Sequence, residues 1–232
     1  MSIVYLIPSV LHEQGYAAIP AYTLTAIRSC SAIFAENERT TRRYLKALDK
    51  TIVIDDFEWF TIHKAEAEQI GHFKNKIAEK KNIAIISEAG CPGIADPGQV
   101  LAGIAQQLGC KVQPLTGPSA ILLALMASGL SGQQFEFVGY LPVDTIEREK
   151  MILTLEQNSA KQNSTKIFIE TPYRNNQLME SLIKVCKPAT LLCIGSNITG
   201  ANETIVTKKI IAWQKNVPNL HKIPAIFLLQ AE

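Results

Sequence analysis

The stretch Ile83-Ala-Ile-Ile-Ser-Glu-Ala-Gly-Cys-Pro-Gly-Ile-Ala-Asp-Pro-Gly98 runs from four consecutive apolar residues into a loop crowded with glycine and proline, then restarts. Ile83 to Ile86 read as a strand covered on both faces, the habit of a parallel sheet sandwiched between helices. Gly90, Pro92, Gly93 and Gly98 deny the following segment any regular ladder. Asp96 is expected as an N-cap with Pro97 at the first helical position, so a helix should begin there. Ligands of open α/β sheets bind outside the carboxyl ends of strands, where residues lacking a Cβ let backbone amides come close. The segment therefore reads as a ligand-binding edge, longer than the roughly 2–6 residues of an ordinary strand-to-helix connection.

Strand and helix alternate on either side of it. Ile3 to Ile7 reads as a first buried strand, followed by a polar loop through Pro20, a helix over about 21–29 and a strand at Ala32 to Ala35. Glu38 to Leu45 is helical in pattern, Thr51 to Ile54 is β-branched and strand-like, and Lys64 to Glu79 is rich in helix formers. Val100 to Leu108 predicts a helix closed by Gly109, and Lys111 to Leu115 another strand. This alternation predicts a mostly parallel sheet with helices on both faces.

Thr116-Gly-Pro-Ser-Ala120 leads into a strongly apolar helix at 121–127, which sets the expected division into an N-terminal α/β domain over 1–116 and a C-terminal one over 117–232. The second half is richer in strands, at 134–140, 164–170, 189–195, 203–207 and 223–229, with helices near 146–156 and 175–185. A mixed sheet is expected there. Gln157 to Thr165 is polar enough to read as a mobile surface turn.

Composition narrows the classes. The chain has 232 residues, 47% of them hydrophobic, which is enough to fill sizeable cores. No apolar run approaches a membrane span, and no basic region precedes the apolar N-terminal strand, so a cytoplasmic protein without membrane association is expected. Five cysteines without a C-x-x-C pair suit reduced packing thiols better than disulfides or a zinc site. The net charge of +2 neither demands nor excludes an RNA partner.

Candidate chemistry gathers at the expected strand ends. Glu36 closes the strand at Ala32 to Ala35, where a carboxylate can orient an attacking hydroxyl; the competing reading makes Glu36 or Asn37 a helix cap. Arg39, Arg42 and Arg43 follow, a cluster able to pair with phosphate or to form a solvated helix face. Ser119 precedes a helix whose N-terminal amides favour an anionic group. Glu170 ends a strand before a proline, as a cleft residue or as a buried structural acid. His12 beside Glu13 reads as a solvated loop pair, in a loop with neither G-x-G-x-x-G nor a Walker pattern.

Together these segments resemble the tetrapyrrole methylase superfamily of S-adenosylmethionine-dependent methyltransferases, and within it the ribosomal small-subunit RNA methyltransferase I branch. Residues 86–98 are similar to that branch's S-D-A-G-T-P-x-x-x-D-P-G. Pro114-Leu-Thr-Gly-Pro-Ser-Ala120 follows at the right distance, and Phe135-Glu-Phe-Val-Gly-Tyr-Leu-Pro142 resembles F-x-F-x-G-F-L-P. Ala35-Glu-Asn-Glu-Arg39 resembles A-E-D-T-R, and Ile167 to Arg174 resembles a block containing Y-E-S-x-x-R.

The resemblance implies two α/β domains with S-adenosylmethionine between them, usually in a homodimer, and ribose 2′-O-methylation of a cytidine in the ribosomal RNA of a 30S-type subunit. It places Gly90, Pro92, Gly93, Ile94 and Ala95 around the cofactor, with Pro8, Glu88 and Cys91 beside them. Ser119 and Ala120 would face it from a second wall, and Glu170, Pro224 and Ile226 would close around it. Glu36 would be the catalytic group, and Arg39 and Arg42 would bind substrate. The chain departs from the branch where Ile7-Pro-Ser-Val-Leu-His-Glu-Gln-Gly15 replaces T-P-I-G-N-L, where Ile194 to Gly200 replaces A-R-E-L-T-K, and where His221 to Pro224 replaces K-G-E. The donor half is thus kept better than the acceptor half. Two competing readings follow from that difference: methylation of a tetrapyrrole-like or other small metabolite, and a cofactor-binding module without turnover.

Overall fold

Five short strands build the first sheet: β1 (Ile3–Ile7), β2 (Ala32–Ala35), β3 (Glu58–Thr61), β4 (Ile83–Ile86) and β5 (Lys111–Pro114). The computed structural model describes residues 2–62 and 66–231 and orders these strands β3-β2-β4-β1-β5, every neighbour parallel. Strand period then divides the core. Ala84 and Ile86 join Ile7, Ile33 and Ala35 on one face, packed against α1 (Tyr22–Arg28) and α2 (Glu38–Leu48). Ile83 and Ile85 join Val4 and Phe34 on the other, against α3 (Ile70–Ala78) and α4 (Gln99–Gln107). All four residues of β4 are fully buried, which is why its sequence shows no alternation.

Three expectations for this half are corrected. Thr51 to Ile54 is not a strand: Asp49 captures the Thr51 amide and hydroxyl in a turn, and a 3₁₀ turn begins at Ile54. The strand beside β2 is Glu58–Thr61 instead, held by Phe60, whose ring stacks on Phe34 at 4.6 Å. The expected helix from Lys64 starts later, with a 3₁₀ turn at Glu66–Gln69 and α3 from Ile70; Lys64 itself lies outside the described residues. Finally, α4 begins at Gln99 with Gly98 as N-cap, so Asp96 caps nothing.

The chain divides into two units, residues 1–119 and 120–232. The second holds β6 (Phe135–Tyr140), β7 (Thr165–Ile169), β8 (Leu191–Ser196), β9 (Thr204–Lys209) and β10 (Ala225–Gln230). Their order is β6-β7-β10-β8-β9, with β6 and β7 parallel and the other pairs antiparallel, a mixed sheet. Its apolar α5 (Ala120–Ser128) lies on β8, β9 and β10. α6 (Thr145–Gln162) and α7 (Asn175–Val185) meet a core in which Phe168 and Phe227 stack at 6.0 Å.

The mobile turn expected at 157–165 is a second-unit correction. α6 continues to Gln162, Asn163 turns left-handed at φ 48°, and Ser164 and Thr165 are buried. Only part of the polar run, such as Gln157, Asn158 and Lys161, lies on the outer face of the helix end, while Ser159 is fully buried. A short α8 (Ile210–Lys215), which sequence patterning does not announce, anchors Trp213 through its indole N–H on the Leu192 carbonyl at 2.9 Å. All five cysteines are free thiols. Among the described residues no helix is long and apolar enough to cross a membrane.

Candidate functional site at the carboxyl edge of the first sheet

Register brings the strand ends side by side, since Ile86 pairs with both Ile7 and Ala35, and Leu6 pairs with Pro114. The segments following β1, β2, β4 and β5 therefore leave the sheet at one edge. β1 and β4 are neighbours whose onward connections run in opposite directions, the former towards β2 and the latter towards β5. Such a switch point opens a crevice between the two outgoing loops, the usual ligand position in open α/β sheets.

The loops there are tied together. Ser9 and Gly90 exchange both backbone hydrogen bonds, at 2.8 and 3.2 Å, and the Ser9 hydroxyl donates to the Ser87 carbonyl at 2.7 Å. Pro8 is buried; its carbonyl accepts the Tyr44 hydroxyl at 2.6 Å, and its ring sits where a Cβ on Gly117 would fall, 2.1 Å from Pro8 Cβ. The segment after β5 closes the group. A Cβ on Gly90 would stand 3.6 Å from the Pro118 carbonyl oxygen, and the Cys91 thiol reaches the same oxygen at 3.7 Å. Residues 86–98 and 116–119, read separately from sequence, thus belong to one edge.

The loop's path depends on residues that tolerate positive φ: Gly90 (69°), Gly93 (79°) and Gly98 (122°), joined by Ala95 at 64°. Gly98 cannot be helical at that angle, so the start of α4 is displaced past Asp96 and Pro97. Its exposed amides are satisfied from a distance. One carboxylate oxygen of Glu66 accepts from Gly98 N–H at 3.1 Å and Leu101 N–H at 3.0 Å. Ile94, in the same loop, is 52% exposed.

Three carboxylates on and beside this loop lie within reach of one another's charge. Glu36 is buried; its N–H donates to the Ile86 carbonyl at 2.9 Å, and its Oε2 accepts the Glu88 amide at 2.8 Å. Glu88 points outward and accepts the Thr40 hydroxyl at 2.9 Å. Asp96, set free from capping, is half-buried and pushed up to about 7, by burial first and then by the negative charges of Glu36 and Glu88. A hollow of about 410 Å³, lined by Glu36, Asn37, Glu38, Arg39, Thr61 and Glu88, lies at the ends of β2, β3 and β4. Its volume falls within the roughly 300–1,000 Å³ of small-molecule sites.

Asn37, not Glu36, caps α2, its side chain accepting from Arg39 N–H and Thr40 N–H. Arg42 is engaged by Glu38 one turn earlier and lies 4.9 Å over the Trp59 ring. Arg39 and Arg43, one turn apart, are exposed.

Among the expected cofactor residues, Pro8, Glu88, Gly90, Cys91, Pro92, Gly93, Ile94, Ala95 and Ser119 all lie at this one edge of the first unit. Ala120, Glu170, Pro224 and Ile226 belong to the second unit. There Glu170 is buried and accepts from Thr171 N–H and Arg174, both at 2.6 Å; the Pro224 carbonyl takes the Asn197 amide; Ile226 pairs with Gly195 and Ile169. Sequence reasoning missed Glu66 and the uncapped Asp96, because a cap supplied from 32 residues away leaves no local pattern.

Comparison with known proteins agrees with this architecture. The family model described as tetrapyrrole (corrin/porphyrin) methylases matches residues 17–211. The chain is 29% identical to the ribosomal RNA small subunit methyltransferase I of Vibrio cholerae serotype O1, over 98% of this chain and 76% of that protein. It is 27% identical to the protein of the same name from Escherichia coli O157:H7, over 97% of this chain and 77% of that one. Among solved structures, the methyltransferase CobJ is similar in fold, with a TM-score of 0.66 at 15% identity over 99% of this chain and 93% of that one.

Proposed function

Since the chain belongs to the tetrapyrrole (corrin/porphyrin) methylase family and is a methyltransferase, we propose that it methylates a ribose 2′-oxygen of a cytidine in small-subunit ribosomal RNA, with S-adenosylmethionine as donor. The observation that carries this reading is the gathering of residues 8–10, 86–98 and 116–119 at one switch point, beside the carboxylate group of Glu36, Glu88 and Asp96.

The residues present fit such a donor. S-adenosylmethionine is cationic overall, and the three carboxylates give this edge a negative field. Gly90 and Gly93, both at positive φ, remove the Cβ atoms that would otherwise stand between ligand and backbone. Pro92 stiffens the loop between them, and the exposed Ile94 offers apolar cover. When bound, the donor supplies an electrophilic methyl group whose bonding electron pair stays on sulfur after transfer. The protein's own part is to hold a hydroxyl in line, exclude water and take up a proton.

Arg39 and Arg42, with Arg43, supply the RNA side of this reading. Arg42 is stiffened by Glu38 and Trp59, while Arg39 and Arg43 present guanidinium groups to phosphate from the exposed face of α2. A cytoplasmic homodimer is the form taken for the active protein. The test is transfer of a labelled methyl group from S-adenosylmethionine into a cell extract fractionated by size. Label in small ribosomal subunits, at a cytidine ribose, supports the reading; label only in the small-molecule fraction overturns it.

A further inference from the structure

We infer that the second unit carries an RNA-contact surface of its own, in which Tyr173 stacks on an unpaired base and Lys222, with His221 beside it, meets the neighbouring phosphates. This inference rests on the ribosomal RNA reading above and goes beyond it by placing a contact in the second unit, apart from the arginines of α2.

Sheet register gathers the residues. β10 runs antiparallel to β7 with Ile226 opposite Ile169, so the segment after β7 and the segment before β10 lie at one end of the second sheet. β6 runs parallel to β7 and finishes at the same end, with Tyr140 opposite Ile169 and 55% exposed. Tyr173, in the segment after β7, is 69% exposed, more than any other Phe, Tyr or Trp among the described residues. A solitary exposed ring is ordinary on a protein surface. Tyr173 has company: the His221 ring stands at 74° to it with centroids 6.0 Å apart, and the Lys222 ammonium lies 6.0 Å from its centroid.

Backbone and amide bonds fix this arrangement before any partner arrives. The Lys222 amide donates to the Pro172 carbonyl at 2.9 Å, joining the two segments directly beside Tyr173. Asn175, fully buried, donates to the Ile223 carbonyl at 2.7 Å. Asn176 accepts the Leu220 amide at 2.7 Å and donates to the Asn219 side-chain oxygen at 2.9 Å, while the Leu220 side chain packs into the core of the second unit. The same bonds hold Lys222 in the left-handed region at φ 63°. A surface ordered in this way loses little freedom on binding.

Charge selects the partner. Glu170 is the only acid in residues 170–174 and 219–224, and its carboxylate is buried and paired with Arg174 at 2.6 Å. The charge left exposed in these segments is therefore positive, from Lys222 and the partly exposed Arg174. α7 begins at Asn175 with no side-chain cap, so the positive end of its dipole adds to that field. An exposed ring beside cations suits single-stranded RNA, in which every base offers a face for stacking and every nucleotide a phosphate.

The test measures binding of the full chain, and of Tyr173→Ala, Tyr173→Phe and Lys222→Gln, to protein-free small-subunit ribosomal RNA across a series of salt concentrations. S-adenosylmethionine affinity from calorimetry and Tm are read alongside. We expect Tyr173→Ala to weaken RNA binding about 5- to 100-fold with an unchanged salt slope, because stacking releases no counterions, and Tyr173→Phe to stay within about threefold of wild type. Lys222→Gln should lower the slope of log affinity against log salt by about 0.7. All three are surface changes and should leave donor affinity and Tm near their wild-type values. RNA affinity within twofold of wild type in Tyr173→Ala would overturn the contact while methyl transfer to small subunits still stood. An unaltered slope in Lys222→Gln would overturn the phosphate assignment. Equal losses of RNA and donor affinity in Tyr173→Ala would also overturn the inference, since the ring would then serve the donor. A wild-type chain that neither binds this RNA nor methylates small subunits overturns the functional reading and the inference together.

Discussion

Glu36 and Glu88, 52 residues apart, are joined carboxylate to amide at 2.8 Å, and this bond sets where the loop after β4 departs from the end of β2. Two acidic residues so close would ordinarily repel, but Glu88 contributes its backbone and turns its own carboxylate outward to Thr40. A hydrogen bond to a charged acceptor is worth about 1.5–3 kcal/mol. Glu36→Ala should therefore loosen the loop and weaken S-adenosylmethionine binding roughly tenfold or more. Glu36→Gln keeps an oxygen acceptor and should hold affinity within a few-fold. Calorimetry on both variants checks this, and equal affinities would remove the tether from the site.

Glu66 should matter to stability more than its place in a polar segment suggests. Its carboxylate satisfies two amides at the start of α4 and meets the positive end of the helix. Loss of such a cap costs about 1–2 kcal/mol. In a chain of this length that is a fall of several degrees in Tm. Glu66→Ala should show that loss, and Glu66→Gln about half of it, in thermal unfolding followed by circular dichroism.

Gly117 and Gly103 should respond in opposite directions to the same substitution. A Cβ on Gly117 would lie 2.1 and 2.4 Å from two ring carbons of Pro8, whose carbonyl is itself held by Tyr44, so neither partner can yield cheaply. Gly117→Ala should cost about 1–3 kcal/mol or more, as overpacking does. Gly103 lies within α4 with nothing within 4 Å of its missing Cβ, and Gly103→Ala should stabilise by up to about 1 kcal/mol through helix propensity alone. Urea denaturation of the two variants makes the comparison.

Local rules carried the reading where the physics is local. The apolar run of β4, the alternating strands and helices and the Gly109 cap all announce themselves within a few residues. Errors fall where a distant partner decides. The β-branched run Thr51 to Ile54 has strand propensity but loses its first residue to Asp49, while the edge strand Glu58–Thr61 is chosen by Phe34. Asp96 has the composition of a cap, yet Gly98 and Glu66 displace the helix start beyond it. Motif order brought residues 86–98 and 116–119 forward as partners and they do meet at one sheet edge, but which of the carboxylates there already has a partner is something no spacing encodes.

Arg39 and Arg43 provide a test of the proposed RNA face on α2. They stand one turn apart on the exposed side of α2, and Arg39 also borders the hollow. Each phosphate contact released should lower the slope of log affinity against log salt by about 0.7–0.9. Arg39→Gln with Arg43→Gln should reduce that slope by roughly one to two and weaken binding to small-subunit RNA, with S-adenosylmethionine affinity unchanged in calorimetry. An unaltered slope would move the RNA contact off α2.

Asp96 makes a prediction about stability that is independent of turnover. Its carboxyl ionises near 3.8 in an unfolded chain and at about 7 in the folded one, so between those values the folded protein binds the extra proton. Stability contributed by that proton is complete below about pH 4 and falls as pH rises towards 7, above which the folded state carries a charge it disfavours. Asp96→Asn removes the charge and keeps the shape. The variant should match wild type near pH 4 and exceed it above pH 7. Because the group is partly solvated, the gain is expected at about 1–2 kcal/mol, well below what the full shift would imply. Tm measured from pH 4 to 8 reads the difference directly: two parallel curves would mean that Asp96 ionises in the folded protein as it does in the unfolded chain, and that the crowding by Glu36 and Glu88 has no energetic consequence.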